Sequence, residues 1–205
     1  MKPPRPVLLL ASASARRAEL LALAGLPFRV CPRETDETFS RRPPGAEAVR
    51  LARQKLDSLL LNLPAGENPK TLWALGADTF ILPPPALRGA PSFLGKPENR
   101  EEARRMLLRL SGRTHRVITG LALACPPGRV VTAWEITKVR FAPLSAGEIE
   151  AYLGTGEWAG AAGAYRIQGR GEALTVCIKG SYSNIMGLPL NRLCAILKAN
   201  GYPFP

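Results

Sequence analysis

The chain has 205 residues, 46% hydrophobic and 21% charged, a balance that buries a sizeable core without disulfide or metal staples. No apolar run approaches the roughly 20 residues that span a bilayer, and the stretch after Met1–Pro6 is shorter than the roughly 7–15 residues of a signal-peptide core, so a cytoplasmic, non-membrane protein is expected. The net charge of +12 invites a nucleic-acid partner, but the basic residues stand in ones and twos without an aromatic-interleaved stripe; no nucleic acid is expected, and the positive field instead steers polyanionic small molecules.

In chain order, Val7–Ala11 reads as a short buried strand and Ala15–Ala24 as a helix with Leu20, Leu21, Leu23 and Ala24 on its core face, capped by Ser14 and stopped by Gly25. Arg16 and Arg17 fall in its first turn, where cations oppose the helix dipole. With the hydroxyls of Ser12 and Ser14 they suit a polyphosphate; a solvated surface pair is the alternative. Phe28–Pro32 is a second strand, followed by Glu34, Asp36 and Glu37. These carboxylates are either oxygen ligands for magnesium or a solvated acidic loop.

Helix Ala46–Leu61 places Val49, Leu51, Ala52, Leu56, Leu59 and Leu60 near helical spacing and carries Lys55. Strand Thr71–Asp78 is closed by Asp78, whose carboxylate is expected at the carboxyl edge of a sheet, where α/β proteins place ligands. It reads as a metal ligand or general base, or alternatively as a turn-forming cap at a strand end. Thr79 beside it contacts substrate or extends the strand. If Glu37 and Asp78 converge, they supply hard ligands for a phosphate-bound cation and a carboxylate able to activate water.

Pro83 to Pro97 holds five prolines and reads as a loop. In it, Lys96 of Gly95-Lys96-Pro97 is, like Lys55, a candidate phosphate clamp or a solvated surface group; the Walker pattern is missing. Asn99 and Glu102 form a capping box for helix Arg100–Leu110. Thr114–Cys125 and Val130–Phe141 are strands joined by the turn Pro126-Pro127-Gly128-Arg129, expected to pair antiparallel. Ser145 and Glu148 make a second capping box, opening a helix that ends at Gly154, and Leu188–Asn200 is the last helix.

The run Gly163-Ala164-Tyr165-Arg166-Ile167-Gln168-Gly169-Arg170-Gly171 resembles a recognition loop: tyrosine packs on a base, and glutamine offers a donor and an acceptor to a base edge. A glycine-rich turn with a core tyrosine is the alternative. Gly180–Pro189 is similarly loop-like. Cys31, Cys125, Cys177 and Cys194 are far apart and read as reduced core residues; the lone His115 has no nearby second zinc ligand. Any metal is therefore expected to be held by oxygen. The alternation of strands and helices points to an α/β fold with an outer lobe from both chain ends and an inner lobe near residues 95–150 around a cleft.

Ser12-x-Ser14-x-Arg16-Arg17, Glu37, Lys55, Gly76-Ala77-Asp78-Thr79, Gly95-Lys96-Pro97, Ser111-Gly112-Arg113-Thr114-His115, Ala162-Gly163-Ala164-Tyr165-x-Ile167-Gln168-Gly169 and Gly187-Leu188-Pro189 follow one another along nearly the whole chain. Together they resemble the Maf family of nucleoside triphosphate pyrophosphatases. The resemblance implies a single domain over 1–205 with an inosine triphosphatase-like mixed sheet and flanking helices, two lobes, a homodimer, and a divalent cation, Mg²⁺ or Mn²⁺. It implies hydrolysis of a nucleoside triphosphate to the monophosphate and pyrophosphate. Asp78 maps to the family's proton acceptor, Glu37 with Asp78 to the metal ligands, and Ser12, Arg16, Arg17, Lys55 and Lys96 to the phosphate contacts.

The Tyr-x-Ile-Gln-Gly form resembles the dTTP/UTP subgroup, and Arg16, Thr79 and Gln168 match that subgroup's specificity positions. Trp158 and Ala161 depart from the usual family pattern, a proline and a lysine respectively. A pyrophosphatase for modified purine nucleotides such as 7-methyl-GTP is one alternative. The other is a non-enzymatic binding protein in cell division, as the family's older septum-formation description suggests.

Overall fold

The computed structural model describes residues 5–32, 35–36, 38–40, 42–84 and 93–204. Among these residues six strands form one mixed sheet with flanking helices, in the order β2-β1-β3-β4-β5-β6. The strands are β1 (Leu8–Leu10), β2 (Phe28–Val30), β3 (Trp73–Leu82), β4 (Thr114–Cys125), β5 (Arg129–Phe141) and β6 (Thr175–Lys179). The helices are α1 (Ala15–Leu23), α2 (Pro44–Leu61), α3 (Arg100–Leu110), α4 (Ala146–Gly154), α5 (Tyr182–Ile185) and α6 (Leu190–Ala199). The α/β class expected from the sequence is what these elements build.

By its internal contacts the chain divides into two units, one of Met1–Asp78, Thr119–Glu135 and Gly187–Pro205, the other of Thr79–Ile118 and Ile136–Met186. In the first unit β1 pairs in parallel with β2 on one side and with β3 on the other, Leu8, Leu9 and Leu10 facing Trp73, Ala74 and Leu75. Parallel strands covered on both faces read as continuous apolar runs, and Leu8, Leu9 and Leu10 are all buried. Helix α2 turns Ala48, Leu51, Ala52, Leu56 and Leu59 inward. Of these, Ala52, Leu56 and Leu59 share a core cluster with Leu9, Leu72 and Ala74.

Two glycines set how closely α2 approaches. A Cβ added at Gly76 would collide with the Ala52 carbonyl and the Leu56 backbone, and one at Gly120 with the Ala48 carbonyl. The helix therefore lies with its backbone against these strand positions, an approach open only to residues without a side chain.

In the second unit, β6 pairs antiparallel with β5, Val139 opposite Ile178. Helix α3 begins at Asn99, whose side chain accepts the Glu102 N–H at 2.9 Å. The reciprocal half of the expected box is displaced by one residue, because the Glu102 carboxylate takes the Glu98 N–H instead. Helix α4 has the complete capping box of Ser145 and Glu148.

Four further expectations are corrected. Ser14 occupies the N-cap position of α1 without a side-chain cap bond; its own N–H instead donates to Ser12 Oγ at 3.3 Å. Strand β3 does not end at Asp78 but runs on to Leu82, because Phe80 and Ile81 continue a buried, β-favouring pattern. Of the four free cysteines only Cys31 and Cys125 are buried, while Cys177 on the edge strand β6 is exposed and Cys194 is partly so. The loop-like Gly180–Pro189 segment contains the short helix α5, capped by Ser181.

Candidate active site

The site in the first unit starts from two charged residues on the buried stripe of α2. Lys55 lies in register with Leu51, Ala52, Leu56 and Leu59, so its ammonium is carried inward with the apolar side chains. It donates a short, buried hydrogen bond to Asp78 Oδ1. The two side chains are 10% and 9% exposed. An ion pair removed from water this far is stable only while both partners are present. Asp78 is therefore neither a strand-end cap nor a solvated acid; it is an interior carboxylate paired with a fixed cation.

Glu47, on the same stripe one turn before Leu51, is wholly buried. Its oxygens accept the Ser40 N–H at 2.7 Å and the Ser40 hydroxyl, and pair with Arg50 at 2.6 Å. The Arg50 hydrogen bond is the main reason that its carboxyl is held down to about 2, with Ser40 adding to it. Arg50 also donates to the Thr38 carbonyl at 2.7 Å and to Gln54 Oε1 at 2.9 Å. Chiefly through Glu47, and more weakly through Asp36 and Asp78, the Arg50 guanidinium is pushed above its ordinary range. Asp36 accepts the Thr38 N–H at 2.8 Å, and the Thr38 hydroxyl holds its carboxyl below the usual range. Glu37, the expected second metal ligand, and Glu34 lie outside the described residues.

The two arginines of α1 are divided by the structure. Arg17 is buried, and its Nε donates to the Gly187 carbonyl at 2.9 Å and its Nη1 to Ser12 Oγ at 2.8 Å. It fastens α1 to the turn after β1 and to the turn before α6. Gly187 adopts φ +109°, which favours glycine, so the Gly187-Leu188-Pro189 motif presents its carbonyl to Arg17. Arg16 on the neighbouring position is half-buried. Ser12 with Arg17, and Lys55 with Asp78, are thus two buried polar pairs in the first unit.

The remaining predicted residues, Thr79, Lys96 and Gln168, belong to the second unit. Thr79 is half-buried, while Lys96 and Gln168 are exposed. The Gly95 carbonyl accepts the Gly163 N–H at 2.9 Å, which ties the Gly-Lys-Pro turn to the glycine-rich run. Tyr165 does not face solvent as a base platform would. It is buried, its hydroxyl is 2.8 Å from His115 Nε2, and its ring meets Phe141 edge-on at 4.8 Å. The tyrosine of this motif is a core residue.

Sequence reasoning missed Glu47 and Arg50. The available signal was a charged residue in the apolar register of α2, four positions ahead of Leu51. Among the described residues no three His, Cys, Asp or Glu side chains are grouped to hold a metal. Magnesium does not need such a cage: it keeps several waters and takes one or two carboxylates together with substrate phosphates. Asp78, with only Oδ1 committed to Lys55, fits that demand.

A family model described as Maf-like protein matches residues 7–200. The dTTP/UTP pyrophosphatase of Symbiobacterium thermophilum is 46% identical over 197 residues, covering 96% of this chain and 95% of that protein. The dTTP/UTP pyrophosphatase of Halalkalibacterium halodurans is 44% identical over 203 residues, 98% of each chain. Among solved structures, the Staphylococcus aureus Ham1 protein aligns with a TM-score of 0.51 at 12% identity, over 94% of this chain and 98% of that one. The last likeness shows a shared fold.

Proposed function

Because the chain belongs to the Maf-like protein family, we propose that it hydrolyses dTTP and UTP to the monophosphate and pyrophosphate. The observation that carries the reading is the buried Lys55–Asp78 pair in a chain whose full-length relatives are named for this activity. Asp78 accepts a proton from water through the oxygen that Lys55 does not engage. The water oxygen bonds to the α-phosphorus, the bond from that phosphorus to the α,β-bridging oxygen breaks, and pyrophosphate leaves.

Lys55 orients the Asp78 carboxylate through their hydrogen bond. Arg16 and Lys96 contact the triphosphate directly. Arg17 and Lys55, fixed by internal hydrogen bonds, add positive charge, and the Ser12 hydroxyl lines the same turn. Asp78 and Glu37 would hold Mg²⁺ or Mn²⁺; when bound, the cation neutralises phosphate charge and polarises the scissile phosphoryl group. For the base, the Gln168 amide offers a donor to O4 and an acceptor to N3–H of uracil or thymine, with Arg16 and Thr79 as the other selective positions. A homodimer, on the strength of the family resemblance, and a cytoplasmic setting, expected from the sequence, complete this reading; among the described residues no helix is long and apolar enough to cross a membrane.

The experiment is product analysis with Mg²⁺ over dTTP, UTP, CTP, ITP and 7-methyl-GTP. Pyrophosphate from dTTP and UTP ahead of the others supports the reading. Preference for 7-methyl-GTP moves the chain to modified purines, and no release from any nucleotide leaves a binding protein.

A further inference from the structure

Gln168 is exposed, and an exposed amide selects a base edge only if its backbone is held to within about 0.5 Å. Before it, the chain is fixed by Tyr165 in the core and by the Arg166 N–H, which donates to the Tyr152 hydroxyl at 3.1 Å. The Arg166 guanidinium reaches the Ala159 carbonyl at 2.9 Å, and Ile167 is buried.

After Gln168 the Gly169 N–H donates to the Arg166 carbonyl at 3.3 Å and the Gly169 carbonyl accepts the Glu172 N–H at 3.1 Å, and a carboxylate adds side-chain support. Glu157 Oε1 accepts the Arg170 N–H at 3.1 Å. A Cβ added at Gly169 would overlap both Glu157 oxygens and their carbon, so the carboxylate rests on the face of Gly169 where any other residue carries its side chain. Glu157 Oε2 is buried and has no hydrogen-bond partner among the described residues. Glu157 is itself held: its N–H donates to the Thr155 hydroxyl at 3.1 Å, and that hydroxyl donates to the Tyr152 carbonyl at 2.7 Å. Tyr152 thus supports both sides of the loop, one through its own hydroxyl and the other through Thr155 and Glu157.

We propose that Glu157 is a positioning residue for base selection: its carboxylate, seated on Gly169 and bonded to the Arg170 N–H, fixes the backbone that carries Gln168. This rests on the reading of Gln168 as the base contact. It also gives the Gln168-Gly169 pair a physical reason, since glycine is the residue that lets the carboxylate reach the loop. Glu157 touches neither the reacting phosphorus nor Asp78 in this account, so its loss loosens the base more than it slows the chemistry.

The test compares kcat and KM for UTP and CTP in wild type, Glu157→Ala, Glu157→Gln, Gly169→Ala and Gln168→Ala, each checked for folding by thermal melting. Glu157→Ala is expected to lower the UTP-over-CTP ratio of kcat/KM by about tenfold through KM, with kcat for UTP within about threefold of wild type. Glu157→Gln keeps an acceptor for the Arg170 N–H and is expected to recover most of the ratio. Gly169→Ala, which displaces the carboxylate without removing it, should reproduce Glu157→Ala and add little to it in the double variant. That variant also carries the test if Glu157→Ala does not fold. An unchanged ratio in Glu157→Ala or Gly169→Ala, with a reduced one in Gln168→Ala, overturns the role of Glu157 and leaves that of Gln168 standing. An unchanged ratio in Gln168→Ala overturns both. An equal fall in kcat for UTP and CTP in the Glu157 variants marks a merely structural role and also overturns the proposal.

Discussion

Lys55 on α2 and Asp78 on β3 meet through a buried hydrogen-bonded ion pair, so the carboxylate assigned to proton transfer is also part of what holds α2 on the sheet. Asp78→Asn removes the charge but leaves an ammonium in the interior. Losing one partner of such a pair costs about 3–5 kcal/mol. The single variant should therefore lose both turnover and stability. Pairing it with Lys55→Met should restore much of the stability in denaturant titration and none of the turnover. Turnover that returns with stability would mean that Asp78 acts only as a structural partner.

Gly76 makes that pair possible by letting the α2 backbone lie on β3 at Ala52 and Leu56. Gly76→Ala should move the helix outward, cost about 1–3 kcal/mol as overpacking does, and reduce kcat because Lys55 rides on the displaced helix. Chemical denaturation and steady-state kinetics on the same preparation check both. Wild-type kcat in a destabilised Gly76→Ala would separate the helix position from catalysis.

His115 is buried against Tyr165 and Phe141, and burial lowers its pKa from 6.5 to about 3. Between those values the unfolded chain binds a proton at this ring and the folded chain does not. Stability from this group is complete above pH 6.5 and falls as the pH drops toward 3. His115→Gln should lack this component, so the stability gap between variant and wild type should shift with pH across that window. NMR of the wild-type imidazole nitrogens should show a neutral ring at pH 5.

Arg16 and Arg17 are adjacent in sequence and differ in consequence. Arg17→Ala removes charged hydrogen bonds to Ser12 and Gly187 and should cost about 1.5–3 kcal/mol or more in stability. Arg16→Ala should raise KM for the triphosphate. The reverse pattern would exchange their roles.

The regular elements were legible where pattern and punctuation agreed. Helix Arg100–Leu110 and strand Thr114–Cys125 have the boundaries read from the sequence. Asp78 was found but misplaced within its strand, because the run past it through Ile81 is as β-favouring as the run before it. Tyr165 was legible as an aromatic in a glycine-rich run, yet only its contact with His115 shows that it faces the core. Lys55 was visible as a lysine on a helix, while its partner, 23 residues away, is set by the close approach at Gly76, which no local pattern encodes. Glu47 was missed because an acid in the first turn of a helix ordinarily reads as a dipole complement.

The most direct measurement of the central claim is hydrolysis of UTP with Mg²⁺ in ¹⁸O-labelled water, with wild type beside the Asp78→Asn, Lys55→Met double variant. Attack at the α-phosphorus predicts pyrophosphate as product, one labelled oxygen in UMP, none in pyrophosphate, and no turnover in the folded variant. Orthophosphate as product, label in pyrophosphate, or a variant as active as wild type would contradict the account.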